Sequence, residues 1–253
     1  MEKAGENMKE TIYTIPVNEV FSEECFCPFC KLHKRLDEEE IRYALGPAMM
    51  EPDYRAITNE KGFCAYHIRE LNSLPRALAM SLVLQSHFKT VKGELCDDYL
   101  SRRKGLFSKK EDNTRDEYIE DIEKINQDCA ICSKIERHFL RYIDTFIDMV
   151  KADGEFLSKV ASGEGFCMPH YELILKAAAR KLSRKDYERI ITPIRDAQIR
   201  KLQKYEKDID AFVESFDHRN AGKPCQAPSD TVLKSSWLLN GEFEKLPKKL
   251  GDL

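Results

Sequence analysis

Two matched sets of residues constrain this chain more than anything else in it. Cys27-Pro28-Phe29-Cys30 is followed by Gly62-Phe63-Cys64-Ala65-Tyr66-His67, and the order returns as Cys129-Ala130-Ile131-Cys132 followed by Gly165-Phe166-Cys167-Met168-Pro169-His170. The gap from each cysteine pair to the next motif cysteine is 33 residues in one case and 34 in the other. One six-residue likeness can arise by chance, but a second pair at nearly the same distance makes the chain an internal duplication. Each half carries CxxC and then CxxH, three sulfur donors and one imidazole, which is the ligand set and pairwise spacing of a closed tetrahedral metal site.

The spacing has a mechanical reason. Two cysteines separated by two residues aim both sulfurs at one ion from a single turn, and a thiolate at a helix N-terminus gains from the helix dipole. CxxH at the mouth of a following helix supplies the other two donors, and the glycine before it permits the tight turn that aims Cys64 or Cys167. Four protein donors leave no open position, so such sites are structural and contribute folding free energy. Sulfur-rich sites suit zinc, here two ions per chain, while soft ligands also accept iron or an iron-sulfur cluster. Counted within each half, Cys27, Cys30, Cys64 and His67 fill one tetrahedron and Cys129, Cys132, Cys167 and His170 the other. Spacing does not choose between that grouping and one in which Cys27 and Cys30 meet Cys167 and His170.

Of the nine cysteines, three have no counterpart in the opposite half: Cys25, Cys96 and Cys225. They read as buried free thiols, with Cys25 close enough to Cys27 to act as a spare ligand or resolving thiol. His33 reads as a residue of a charged helix face, His87, His138 and His218 as ordinary helix or surface residues, and Met49 and Met50 as core filling.

A chain of 253 residues can bury a sizeable core, and one domain of two pseudo-repeats is the expectation, about 11–100 and 115–216, with a linker at about 101–114 and a tail at 217–253. Forty-one basic and 44 acidic residues leave a net charge of -3, which gives no global field for nucleic acid or an anionic membrane. Apolar runs are short and interrupted by charge, so neither a signal peptide nor a membrane span is expected and the default location is the cytoplasm. In a reducing compartment, cysteines favour metal ligation over disulfides.

Along the chain, a helical turn is expected through Asn18 to Phe21, then a helix leaving the first cysteine pair around a solvated Asp37-Glu38-Glu39-Glu40 run and stopping at Gly46-Pro47. Ala48 to Lys61 lacks a clean period and reads as a loop with at most a short helix. Leu71, Leu74, Leu78, Leu82, Phe88, Val91 and Leu95 continue helically to about Tyr99, with Pro75 marking a break or a start. Ser101 to Asn113 is the candidate linker, its basic residues a solvated run, and Thr114 to Glu117 a capping box before Tyr118, Ile122 and Ile125. The strongest amphipathic pattern is Ile135, Phe139, Tyr142, Ile143, Phe146, Ile147 and Val150. A short helix is expected within Gly154 to Gly165, another after His170, and Ser183 caps a long one with a seam at Ile190, Ile194, Leu202, Tyr205, Ile209, Phe212, Val213 and Phe216, begun or kinked at Pro193. A short helix near Asp230 to Leu239 carries Trp237. No stretch reads as a sheet, so the class is all-α.

Leu45-Gly-Pro-Ala-Met-Met-Glu-Pro-Asp-Tyr-Arg55, Thr58-Asn-Glu-Lys-Gly-Phe-Cys64, CAICSKIERHFLRYIDTF, GFCMPH and Phe216-Asp-His-Arg-Asn-Ala-Gly-Lys-Pro224 together resemble an uncharacterised bacterial family of Firmicutes, a domain of unknown function. The resemblance covers roughly Thr11 to Gly241. It implies a helical protein with duplicated CxxC/CxxH sites and carries no substrate or partner. Cys225 stands where the family pattern has an aromatic residue, which argues against it as a ligand.

No HExxH, nucleophile elbow, P-loop or dinucleotide fingerprint occurs, which weighs against an enzyme and assigns no catalytic residue. The function expected is a metal-stabilised helical module that binds a protein or another ligand. The alternative is a redox protein using a cluster or the CxxC thiols. Nucleic-acid binding is disfavoured by the charge balance and by gaps far longer than those of compact fingers.

Overall fold

The structure, a computed structural model, describes residues 12–97, 119–120, 122–123, 125–126, 128–220, 222 and 224–242. Among them the chain is all-α, with no strand. The helices are α1 (Thr14–Val20), α2 (Pro28–Ala44), α3 (Pro52–Lys61), α4 (Ala65–Ser73), α5 (Ala77–Asp97), α6 (Ala130–Ala152), α7 (Gly154–Ser162), α8 (Met168–Lys181), α9 (Arg184–Glu214) and α10 (Thr231–Asn240). None is long and apolar enough to cross a membrane. The expected linker, the capping box at Thr114 to Glu117 and the side chain of Cys96 lie outside the described residues.

Local chemistry explains the boundaries. Pro28 and Pro52 stand at the starts of α2 and α3, where a missing N–H costs no hydrogen bond. Asp153 caps α7 by accepting from the amides of Glu155 and Phe156, and Ser183 caps α9 by accepting from the Asp186 amide. Pro75 falls in the break between α4 and α5, and Pro193 lies inside α9 instead of beginning it. The stretch expected to be a loop, 48–61, is mostly helix: Pro47–Met50 forms a 3-10 turn and α3 follows, burying Tyr54 and Thr58.

The chain divides into two compact units, one of Met1–Arg35 with His138–Leu253 and the other of Leu36–Arg137. In the first unit α9 packs on α7, α8 and α10. Its core is aromatic: Phe29 lies edge-on to Phe139 and Phe146 at 5.9 and 5.3 Å and stacks on Phe166 at 5.8 Å, and Phe21 stacks on Phe146 at 5.2 Å. Burying each such ring contributes up to about 3 kcal/mol. In the second unit α5 packs on α3 and α4. Arg55 of α3 donates to Ser86 Oγ at 2.6 Å and to the Leu82 carbonyl at 3.0 Å, tying α3 to α5.

All seven residues of the expected apolar stripe of α6 are buried. The expectation for α9 is corrected: Leu202, Val213 and Phe216 are exposed, while Gln198 and Lys201 are buried. Leu78 and Phe88 are likewise exposed. Asp37 and Glu40, read as part of a solvated run, are buried, because partners wait for both of them.

Candidate metal centres

The eight motif residues come together, but crosswise. Cys27, Cys30, Cys167 and His170 form one group and Cys64, His67, Cys129 and Cys132 the other, with the donor atoms of each group within 4.8 Å of one another. This replaces the within-half grouping. Each group lies inside a single compact unit.

Both motifs deliver their donors through the same local geometry. Cys64 and Cys167 are the N-cap residues of α4 and α8, in extended conformation, so the histidine three residues on falls in the first helical turn. Ahead of each stands a glycine at positive φ, 58° for Gly62 and 77° for Gly165. At Gly62 an added Cβ would also stand 2.5 Å from Nε2 of His87, whose Nδ1 meets the Asn59 carbonyl oxygen at 2.8 Å. Gly62→Ala is therefore expected to cost about 1–3 kcal/mol, read as a lowered denaturation midpoint. An unchanged midpoint would show that the turn tolerates a side chain.

In the first centre, Nδ1 of His170 lies 3.0 Å from Cys167 Sγ, 3.4 Å from Cys30 Sγ and 3.6 Å from Cys27 Sγ, and Cys30 and Cys167 sulfurs are 3.6 Å apart. All four residues are fully buried. Two polar side chains of α9 hold the turns that carry them. Gln198 accepts from the Phe166 amide at 2.9 Å and donates to the Phe166 carbonyl at 3.0 Å, and Lys201 donates to the Phe26 carbonyl. Each clamped residue immediately precedes a motif cysteine. Burial pulls the Lys201 pKa down, with the thiols of Cys27, Cys167 and Cys30 and the Glu164 carboxylate opposing it.

In the second centre, Nδ1 of His67 lies 3.2 Å from Cys64, 3.2 Å from Cys129 and 3.3 Å from Cys132, and Cys64 and Cys132 sulfurs are 3.8 Å apart. The Ala130 amide donates to the Gly62 carbonyl at 3.0 Å, joining the GFC turn directly to the CAIC knuckle. Cys64 and Cys132 are half-buried, so this centre is the more open one. Asp37 Oδ1 accepts from His67 Nε2 at 2.9 Å, and Glu40 pairs with Lys134 at 2.8 Å.

The donor sets fit a cation. A tetrahedral zinc site with Zn–S of about 2.3 Å has sulfurs about 3.8 Å apart, close to the spacings found. Electrostatics points the same way. Hydrogen bonds from Cys167 and Cys27, with burial, push the Cys30 thiol far up, and Cys129, Cys64 and burial do the same to Cys132. Crowded sulfurs resist shedding all their protons unless a positive ion sits among them. Burial opposes a charge on His67, yet its bonds to Asp37, Cys129 and Cys64 outweigh that and raise its pKa to about 11.

The other candidates fall outside both groups. Cys25 is half-buried and lines a cavity of about 580 Å³ with Phe26, Tyr205, Lys159 and Lys204. Burial, then the neighbouring Cys27, pushes its thiol up to about 11. Cys225 is exposed, not buried as expected. His33 is no surface residue: it is buried with its ring edge-on to Phe139 at 5.3 Å. Met50 is 74% exposed, which removes it from the core.

Sequence reading missed Asp37, Gln198 and Lys201. Asp37 left one signal, lying seven residues and so two helical turns after Cys30, on the same side of α2. Gln198 and Lys201 left a comparable one, each standing four residues from a buried neighbour, Ile194 and Tyr205 respectively, on the inward face of α9. No curated protein and no solved structure matches the chain. A family of unknown function, DUF6062, matches residues 8–246, and the chain belongs to that family.

Proposed function

We propose that this protein is a zinc protein whose two Cys3His centres each hold one ion and stabilise a helical module that binds another molecule. The carrying observation is that each centre gathers four donors around one point, with the two sulfur spacings at 3.6 and 3.8 Å. Four protein donors saturate a tetrahedral ion and leave no position for an activated water, which supports a structural role over hydrolysis. The full burial of the first centre supports it further, since no substrate reaches the ion.

Elemental analysis of protein purified without oxygen tests the reading. Two zinc ions per chain and a colourless solution are expected. Broad absorption near roughly 400 nm, as iron-sulfur clusters give, would move the protein to the redox class. One metal or none would overturn the two-centre reading.

A further inference from the structure

The two centres differ just outside their donors. Beside the second, Asp37 Oδ1 accepts from Nε2 of His67 at 2.9 Å while its Oδ2 accepts from the Tyr66 hydroxyl at 2.7 Å. The His67 and Asp37 side chains are only 2% and 7% exposed. Beside the first, Nε2 of His170 has no hydrogen-bond partner among the described residues, and its ring lies among apolar neighbours, 5.2 Å from Phe139 and 6.0 Å from Phe29. The charged side chain buried there is a cation, Lys201.

A histidine that presents Nδ1 to a metal must keep its remaining proton on Nε2. A carboxylate accepting that proton's hydrogen bond holds the tautomer, fixes the ring plane and makes Nδ1 the stronger donor. Burial strengthens the bond, because little water competes for either partner. Tyr66 orients the carboxylate in turn. At the first centre the ring is held by aromatic packing, which restrains its plane but adds nothing to its basicity.

We propose, resting on the metal reading above, that Asp37 is a positioning residue for the His67 centre, so that the two centres hold zinc by unequal means and loss of Asp37 weakens one ion of the two. The bonds from Asp37 to Tyr66 and His67 also tie α2 to α4, which by itself would give Asp37 a purely structural role. That role predicts no selective effect on one ion.

The test is equilibrium competition between the full-length zinc-loaded protein and a chelator, with the same variants filled with cobalt(II) for ligand-field spectra. Asp37→Asn keeps an acceptor oxygen and removes the charge. It is expected to lower the affinity of one zinc by about 10–100-fold and to leave the other unchanged. Asp37→Ala should lose at least as much, Tyr66→Phe less, and Asp37→Glu should restore most of the affinity, while the cobalt bands of one centre shift. Unchanged affinity in Asp37→Asn, an equal fall at both centres, or a loss in Asp37→Glu as large as in Asp37→Ala would overturn the proposal. Loss of the helical fold in Asp37→Asn at saturating zinc would also overturn it. A wild-type chain holding fewer than two zinc ions would fail the metal reading itself, whereas two ions indifferent to Asp37 would fail only this inference.

Discussion

Stripped of both ions, the chain is expected to lose its cooperative thermal transition and much of its helical circular dichroism. Each centre joins donors from distant segments, with Cys30 and Cys167 separated by 137 positions and Cys64 and Cys132 by 68. Without a cation, three crowded sulfur groups and an imidazole occupy positions where a core would otherwise place apolar side chains. Structural zinc contributes about 10–16 kcal/mol of apparent binding free energy in small zinc domains, against a typical total stability of about 5–15 kcal/mol. Even one ion is therefore comparable to the whole margin. Melting curves before and after chelation, at matched protein concentration, make the measurement. A stripped protein with full helicity and an unchanged transition would show that the aromatic core around Phe29, Phe139 and Phe146 suffices alone.

Cys30→Ser and Cys167→Ser are expected to remove the same ion, and Cys64→Ser and Cys132→Ser the other. Each single change should cost about 3 kcal/mol or more, as loss of a structural metal does. The doubles distinguish the groupings. Cys30→Ser with Cys167→Ser should retain one zinc and cost little more than either alone, because both disable one centre. Cys30→Ser with Cys64→Ser should retain none. A within-half arrangement predicts the reverse, so metal counts on the two double variants decide between them. Cys225→Ser, at an exposed position, should keep both ions.

The legibility of the fold follows how local each interaction is. The α6 stripe from Ile135 to Val150 could be read directly because its period is a property of one helix and every apolar residue on it found the core. In α9 the same reading named Leu202 and Val213 and passed over Gln198 and Lys201. Counting apolar residues cannot find a buried amide or ammonium, whose place is set by the backbone groups of Phe166 and Phe26 that it satisfies. The Asp37 to Glu40 run fails for a related reason. Four acids in a row suggest solvent, and it is the approach of His67, Tyr66 and Lys134 that compensates for burying two of them. In α3 the mixed composition hid a helix that Pro52 starts and that the bonds from Arg55 to Leu82 and Ser86 tie to α5.

Sequence alone determined the eight candidate donors and their pairing within each motif, because CxxC and CxxH each operate inside one turn and need nothing distant to aim their side chains. Which CxxC meets which CxxH was a tertiary matter. Closing the longer loop from Cys30 to Cys167 in place of the shorter one to Cys64 costs only about 1.2 kcal/mol of chain entropy, so separation along the chain hardly ranks the alternatives. The bond from Ala130 to Gly62 and the clamps of Gln198 and Lys201 on the turns at Phe166 and Phe26 are enough to reverse that small preference, and they exist only once the helices have packed.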